Sequence, residues 1–182
     1  PVLRAAAAAG AAVYSELGFA AELLPAGLPV AAVTGTNGKS TVTTFLGQLL
    51  AAAGRRAFVG GNLGEPLSTA VADPAGLAAL DAVVLEVSSY QLEVPNGFRP
   101  RVGAVLNLAP DHLERHGTLA AYGRCKCNLF RRMGPADLAV LPAGDPQLLA
   151  WAREAFAAGG GGPRVAFLGG APGVEGDGDR AV

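Results

Sequence analysis

The stretch from Val30 to Thr41 constrains the fold of this chain most, because it joins an apolar strand to a glycine-rich turn and then to a helix. The turn is Gly-Thr-Asn-Gly-Lys-Ser-Thr, and the helix after it has an apolar face made of Val42, Phe45, Leu46, Leu49 and Leu50. The backbone N–H groups of such a turn, together with the helix N-terminus, bind phosphate. The usual P-loop has a glycine five residues before Gly38, where this chain has Val33, so the loop is a shortened variant.

The side chains of this loop suit a phosphate and its metal ion. Lys39 adds a full positive charge, and the hydroxyl of Ser40 or Thr41 can bind Mg²⁺. A glycine-rich turn without a ligand is the alternative, but Gly-Lys-Ser-Thr stands where a strand-to-helix unit needs it. We therefore predict a phosphate site made of Gly35, Thr36, Asn37, Gly38, Lys39, Ser40 and Thr41.

Predicted strands and helices alternate along the whole chain. The strands are expected at residues 11–14, 30–33, 57–59, 81–87, 102–108, 137–141 and 164–168. The helices are expected at 3–9, 16–24, in the run that ends at Gly54, and at 66–72, 118–133 and 145–158. This alternation predicts an α/β fold with a mostly parallel sheet and helices on both faces. We divide the chain into a tail of a preceding domain or lead-in (1–26), the phosphate-binding domain (27–168) and a Gly-rich tail or linker (169–182).

The composition argues against two classes of partner. A net charge of −1 gives no basic surplus for nucleic acid, and no uninterrupted apolar span is long enough for a membrane helix. Of the 14 basic residues only Lys39 and Lys126 are lysines, which suggests that both stand where a primary amine is needed. Cys125 and Cys127 face different ways on a predicted helix and cannot easily pair, and no second Cys/His pair at zinc spacing supports a metal site there.

Polar side chains follow several strands, at the edge where ligands gather in a parallel sheet. Glu86 is the expected second contributor to Mg²⁺ binding. Asn62 lies in a Gly-Gly-Asn-Leu-Gly loop, which either brings backbone close to a ligand or is a flexible turn. His112 is a metal ligand or a substrate contact, whereas we expect His116 on the surface, and Asp111 is a candidate helix cap.

The helix predicted at 118–133 places a lysine on its apolar face. Leu119, Tyr122, Leu129 and Met133 follow helical spacing, and Lys126 completes the series. A buried lysine is unfavourable unless it is paired, neutral or modified. The alternative is a lysine whose ammonium group reaches water at the edge of the helix.

These motifs resemble the Mur ligases of peptidoglycan precursor synthesis over most of the chain. Beside the phosphate loop, the resemblance rests on four segments in the family's order: Gly60–Gly64, Leu85–Glu93, Asn107–Leu113 and Tyr122-x-x-x-Lys126-x-x-x-Phe130. The Ser-Ser-aromatic-Gln-Leu-Glu sequence with the Gly-Gly-Asn loop is most similar to the members that add D-glutamate. Members that add meso-diaminopimelate or lysine usually have His where Tyr90 stands.

The resemblance implies a P-loop-type central ATPase domain of a three-domain ligase, with ATP on the loop from Gly35 to Thr41 and two Mg²⁺ ions. The implied catalytic residues are Lys39, Glu86, His112 and Lys126. The implied metal ligands are Ser40 or Thr41, Glu86, His112 and Lys126, the last as a carbamate formed with CO₂. The implied substrate-binding residues are Asn62, Ser88, Gln91 and His112.

The implied substrates are UDP-N-acetylmuramoyl-L-alanine and D-glutamate, joined through an acyl phosphate. We expect a cytoplasmic monomer (in the plastid stroma if the source is a photosynthetic eukaryote) and no activity from the isolated fragment. The alternatives are a sister ligase or a folylpolyglutamate synthase-like ligase that adds another amino acid, and an inactive P-loop binding module. Intact Lys39, Glu86, His112 and Lys126 argue against the binding module.

Overall fold

A computed structural model describes residues 2–169 and contains one sheet of six strands. The strands are β1 (Val30–Thr34), β2 (Ala57–Gly61), β3 (Ala82–Glu86), β4 (Val102–Val105), β5 (Leu138–Pro142) and β6 (Arg164–Leu168). The helices are α1 (Val2–Ala8), α2 (Glu16–Glu22), α3 (Lys39–Ala52), α4 (Leu67–Val71), α5 (Pro74–Ala78), α6 (Leu113–His116), α7 (Leu119–Cys127) and α8 (Pro146–Ala158). The order is β2-β3-β1-β4-β5-β6 with every neighbouring pair parallel, which confirms the predicted fold class.

The direction of each crossover decides which face of the sheet a helix covers. The β1–α3–β2 connection steps toward one edge, whereas β4–α7–β5 and β5–α8–β6 step toward the other. Right-handed crossovers in opposite directions lie on opposite faces, so we call these the α3 face and the α8 face. The main core lies on the α8 face and includes Val30, Ala32, Val83, Leu85, Val105, Ala139, Leu141, Leu148 and Ala152.

Helix α3 covers β1, β2 and β3 on its own face, but not with the side chains that its apolar pattern suggests. Its buried residues are Thr43 and Gly47. A β-carbon added at Gly47 would lie 2.5 Å from Cγ2 of Val59, so the glycine lets helix and strand approach closely. Phe45, in contrast, is 59% exposed.

Several predicted boundaries change in the structure. The predicted strand at 11–14 is wrong: these residues are irregular, and the carbonyl of Val13 is held by the Asn96 amide instead of a strand. Strand β4 is shorter than predicted, because the chain after it turns to bond the phosphate loop. Helix α7 ends at Cys127, and a 3₁₀ turn, Asn128–Phe130, follows it. Of the predicted tail, residues 170–182 lie outside the described residues.

Ion pairs and hydrogen bonds stabilise the end of the sheet at which the strands begin. The buried Asp137 carboxylate, just before β5, accepts hydrogen bonds from Arg99 Nε at 2.9 Å, Arg101 at 3.3 Å and the Gly134 N–H at 2.8 Å. Burial raises the pKa of Asp137, but the Gly134 N–H and the guanidinium groups outweigh it, and the net pKa is lowered. Asp81, just before β3, accepts from the N–H of Arg56 at 2.8 Å.

The segment before β1 packs onto the same core. Leu17 and Ala20 of α2 are fully buried within it. Asn96 Oδ1 accepts a hydrogen bond from the N–H of Ser15 at 3.2 Å, and Asn96 Nδ2 donates one to the Val13 carbonyl at 2.9 Å. Within residues 2–169, no helix is both long and apolar enough to cross a membrane.

Candidate functional site

The phosphate loop connects β1 to α3, and two glycines give it its path. Gly38 caps α3 with φ of 81°, a left-handed conformation that favours glycine. Gly35 has φ of 147°, and a β-carbon there would lie 3.2 Å from Cβ of Leu106. The first N–H groups of α3 are not used by the helix itself, so they are available to a phosphate.

Two residues of the loop are held by the segment that follows β4. The Asn37 N–H donates to Oδ1 of Asn107 at 2.9 Å, and Asn107 Nδ2 returns a bond to the Asn37 carbonyl at 3.0 Å. Thr36 Oγ1 exchanges hydrogen bonds with the backbone of Ala109, at 3.2 and 3.0 Å. Sequence reasoning did not assign Asn107 this role, because it placed Asn107 inside the strand predicted at 102–108, whereas β4 ends at Val105.

A polar cluster on the α3 side of the loop contains three of the predicted residues. Glu86, 3% exposed at the end of β3, accepts from Ser40 Oγ at 2.6 Å through one carboxylate oxygen. Its other oxygen accepts from Asn62 Nδ2 at 2.8 Å. Gly61 permits this pairing of β2 with β3, because a β-carbon there would collide with the Glu86 carbonyl. The glycines of the predicted loop therefore bring Asn62 to Glu86.

The two lysines of the chain bind consecutive carbonyls of the phosphate loop. Lys39 Nζ donates to the Thr36 carbonyl at 2.8 Å, and Lys126 Nζ, from α7, donates to the Gly35 carbonyl at 2.8 Å. Lys126 is 1% exposed, so the prediction of a buried lysine is confirmed. Burial first, and then the charge of Lys39, lowers the pKa of Lys126 to about 8. A larger fraction of this amine than of an ordinary lysine is therefore neutral near neutral pH.

An aromatic cluster lines the other side of Lys126. The ring of Tyr122 lies 4.3 Å from Lys126 Nζ. His112, at φ of 52°, has its Nδ1 3.2 Å from the Tyr90 hydroxyl. His116 was expected on the surface and is instead half-buried, because its ring stacks on Tyr90 and its Nε2 lies 3.1 Å from Ser89 Oγ. Burial lowers the pKa of His116.

The remaining predicted residues are arranged separately. Gln91 Oε1 accepts from both the N–H and the hydroxyl of Ser88, at 3.0 and 3.1 Å, so these two residues form their own pair.

Cys125 and Cys127 are buried free thiols, and burial raises their pKa values to about 11 and about 12. Both therefore remain protonated at neutral pH, which does not favour metal binding.

The donor set suits Mg²⁺ bound together with a phosphate. Among residues 2–169 there is no ready cluster of three or more His, Cys, Asp or Glu side chains. Magnesium, however, keeps several waters and uses one or two carboxylates plus substrate phosphates. Ser40 and Glu86, in contact beside the phosphate loop, provide the hydroxyl and the carboxylate that such a site requires.

Comparison with known proteins gives a consistent family. Residues 33–159 match the Mur ligase middle domain. UDP-N-acetylmuramoylalanine–D-glutamate ligase of Desulfotalea psychrophila is 48% identical over 141 residues, covering 78% of this chain and 30% of that protein. The enzyme of the same name from Myxococcus xanthus is 46% identical, covering 86% of this chain and 34% of that protein.

Superposition on a solved structure supports the same family. The structure of UDP-N-acetylmuramoyl-L-alanyl-D-glutamate–2,6-diaminopimelate ligase superposes with a TM-score of 0.61 at 28% identity, covering 80% of this chain and 33% of that one. The chain thus spans about a third of the length of each of these three proteins.

Proposed function

The chain belongs to the Mur ligase family, as its middle domain, and on that premise we propose that the full-length protein is an ATP-dependent ligase that joins D-glutamate to UDP-N-acetylmuramoyl-L-alanine. The D-glutamate assignment is supported by the names of the curated relatives at 43–49% identity. The observation that carries the chemistry is the phosphate loop at the N-terminus of α3, with Lys39 Nζ on the Thr36 carbonyl and Ser40 Oγ on the Glu86 carboxylate. A lysine and a helix N-terminus on one loop, beside a hydroxyl and a carboxylate that can hold Mg²⁺, favour a phosphate ligand such as the triphosphate of ATP.

We assign the phosphates of ATP to the loop residues Gly35, Thr36, Asn37, Gly38, Lys39, Ser40 and Thr41. Lys39 would stabilise the charge of the γ-phosphoryl group during its transfer. Ser40 or Thr41, together with Glu86, would hold one Mg²⁺, and His112 would help hold a second. The metal ions would neutralise phosphate charge when bound.

The surroundings of Lys126 fit a carbamate. The amine has a lowered pKa, is 1% exposed and has no carboxylate partner within the described residues. The buried Thr34 hydroxyl, on the residue before Gly35, also has no hydrogen-bond partner there. Reaction with CO₂ would replace a buried cation by a carboxylate that can accept from neighbouring donors and bind Mg²⁺.

The reaction would then follow from these positions. The terminal carboxylate of the muramoyl-alanine substrate, positioned by Asn62, Ser88, Gln91 and His112, attacks the γ-phosphorus of ATP. An oxygen–phosphorus bond forms, ADP leaves, and an acyl phosphate results. The amine of D-glutamate attacks the acyl carbon, phosphate leaves with the C–O bond electrons, and the nitrogen loses a proton to give the amide.

We further propose a monomer in the bacterial cytoplasm, where ATP and nucleotide-linked precursors are available. The relatives reported above are bacterial, and they give no support to a plastid location. The domain boundaries at 26 and 168 stay predictions. So does the inactivity of the isolated fragment, because the rest of the full-length protein would have to supply further substrate contacts.

The test uses the full-length protein with ATP, Mg²⁺ and UDP-N-acetylmuramoyl-L-alanine, and follows phosphate release across a panel of amino acids. We expect release with D-glutamate. Release with another amino acid instead would keep the mechanism and overturn the substrate. Absence of release with every amino acid, while ATP still binds, would overturn the ligase assignment in favour of a binding module.

Glu86→Gln tests the metal role of the polar cluster. The substitution keeps the size of the side chain but removes the charge that Mg²⁺ needs, so the Mg²⁺ concentration for half-maximal phosphate release should rise about tenfold or more. Asp81→Asn, at the opposite end of β3, is the matched control and should leave this concentration unchanged. An unchanged Mg²⁺ requirement in Glu86→Gln would remove Glu86 from the metal site.

A further inference from the structure

Two buried threonine hydroxyls have no hydrogen-bond partner within residues 2–169. They belong to Thr34, the last residue of β1, and to Thr43, in helix α3. Both residues are 0% exposed. A buried polar group without a partner is unfavourable, and native proteins satisfy most such groups. The hydroxyl of Thr34 lies next to the phosphate loop, so a group added there is the first candidate for its missing partner.

The side chain of Thr34 points to the α8 face of the sheet. Val30 and Ala32, on the same strand, belong to the core on that face, and side chains alternate between faces along a strand. Val105, the partner of Thr34 on β4, belongs to the same core. Helix α7 crosses from β4 to β5 on this face. Thr34 and Lys126 therefore approach the phosphate loop from the same side.

Lys126 and Thr34 come together at Gly35. Lys126 Nζ donates to the carbonyl of Gly35, the residue after Thr34, at 2.8 Å. The Thr34 hydroxyl is not a partner of this amine. A carboxylate attached to Nζ would extend one carbon and two acceptor oxygens beyond the nitrogen, and a hydroxyl can donate to such an oxygen. The nitrogen would keep one hydrogen, which is enough for its bond to Gly35.

We propose that Thr34 is a positioning residue for a carbamate on Lys126, with its hydroxyl donating to one carboxylate oxygen and leaving the other for a cation. The inference rests on the carbamate of the proposed function. That group forms when the neutral amine attacks the carbon of CO₂. A nitrogen–carbon bond forms, one C=O electron pair moves onto oxygen, and the nitrogen releases one proton.

The hydrogen bond from Thr34 would favour the carbamate over the free amine. A hydroxyl bound to an anionic oxygen makes a stronger hydrogen bond than one bound to a neutral acceptor. The bond exists only when CO₂ has been added, so it shifts the equilibrium toward the modified lysine. Thr43 cannot do the same, because α3 packs on the opposite face of the sheet. It has the same burial and also lacks a partner, so it is a matched control.

The experiment titrates the full-length protein with ¹³C-labelled bicarbonate, in Mg²⁺ buffer without ATP or substrates, and follows the carbamate carbon by ¹³C NMR. Lys126→Met identifies the signals of other amines, which are subtracted. We expect Thr34→Val to need about tenfold more bicarbonate for half-maximal carbamate, because it keeps the shape of the side chain and loses one charge-assisted hydrogen bond. Thr34→Ser, which keeps the hydroxyl, and Thr43→Val should both remain close to wild type.

Urea unfolding in CO₂-free buffer separates this role from a structural one. Without the carbamate the Thr34 hydroxyl has no partner, so Thr34→Val should be at least as stable as wild type. A variant that is clearly less stable there would show that the hydroxyl already supports the fold, and this would overturn the inference.

The remaining outcomes also decide the matter. An unchanged bicarbonate requirement in Thr34→Val would overturn the role of Thr34 and leave the carbamate in place. The inference would equally fail if Thr34→Ser behaved like Thr34→Val, or if Thr43→Val raised the requirement as much. A wild-type protein without any carbamate signal would overturn both Thr34 and the carbamate, while phosphate release with D-glutamate would still decide the ligase assignment separately.

Discussion

At the scale of single residues, Lys126 is the most informative side chain. Its spacing with Tyr122 and Leu129 predicts a buried position, and the structure confirms it. The expectation that His116 lies on the surface was wrong, because its partners Tyr90 and Ser89 come from another segment. Helical periodicity shows which face of a helix is buried, but it does not show which distant residues meet there. Asn107 was missed for the same reason, because its partner Asn37 is 70 residues away.

Lys126→Met should stabilise the folded protein near neutral pH in CO₂-free buffer. The pKa of Lys126 is about 8 when folded and 10.5 ordinarily, so between these values the unfolded chain holds more protons and stability rises with pH. Below pH 8 the buried ammonium therefore carries its full cost, and we expect Met to raise the free energy of unfolding by about 1–2 kcal/mol after the lost hydrogen bond is counted.

Urea unfolding of the full-length protein and its variant at several pH values measures this difference. The advantage of Met should shrink as pH rises from 8 toward 10.5, because the folded amine is then neutral and the unfolded amine, which favours the unfolded state by holding a proton, loses that proton as pH approaches 10.5. If the variant is no more stable than wild type at pH 7, the buried ammonium group does not destabilise the fold, and the prediction is wrong.

At the scale of elements, the sequence predicted most strands and helices, because their apolar runs are long and are bounded by glycine and proline. The boundaries that failed depend on tertiary contacts. Residues 11–14 have strand-like composition but pair with no strand within residues 2–169. In the same part of the chain, Val42, Phe45 and Leu49 of α3 are exposed, since Gly47 and Thr43 are the residues that meet the sheet. Gly47 could not be identified as a contact residue from its spacing alone, because its lack of a side chain is what permits the contact.

Helix α7 makes a similar close contact, and Gly123→Ala should disrupt it. A β-carbon at Gly123 would collide with the Trp151 ring of α8. Alanine gains up to about 1 kcal/mol of helix propensity, but overpacking costs about 1–3 kcal/mol, so we expect a net loss of stability. Because Tyr122 and Lys126 lie on the same helix, the proposed ligase activity of the full-length protein should fall as well.

A double variant separates the collision from a general effect of the substitution. Trp151→Leu makes room for the added methyl group, so Gly123→Ala should cost less in that background than in wild type, as measured by urea unfolding. An equal cost in both backgrounds, or a stabilised single variant, would contradict this explanation.

At the scale of the whole molecule, the carboxyl ends and the amino ends of the strands carry different kinds of residue. The carboxyl ends of the strands lead to the phosphate loop, Glu86 and the segment of Asn107. The amino ends carry the buried Asp137 with Arg99 and Arg101. Since all strands are parallel, this separation runs through the entire sheet.

Asp137→Asn should therefore lower stability without changing the catalytic constants. It weakens charge-assisted hydrogen bonds at a buried site, for an expected loss of about 1–3 kcal/mol at neutral pH. The folded pKa of Asp137 is lowered, so its contribution is present above the ordinary value of 3.8 and is lost as pH falls through the folded value. Urea unfolding at neutral and acid pH, beside phosphate release at neutral pH, measures both properties. A large fall in kcat with unchanged stability would contradict the separation of stabilising residues, at the amino ends of the strands, from the candidate site at their carboxyl ends.

The parallel arrangement also has a consequence for how such a protein can change over generations. Substitutions that adapt it to a warmer or colder habitat can accumulate where the strands begin, while those that alter the phosphate loop and its neighbours accumulate where the strands end. The two kinds of change lie a strand length apart and share few neighbours, so their effects should combine nearly independently. A lineage could then acquire heat tolerance first and an altered ligand site later, or the reverse, without one constraining the other.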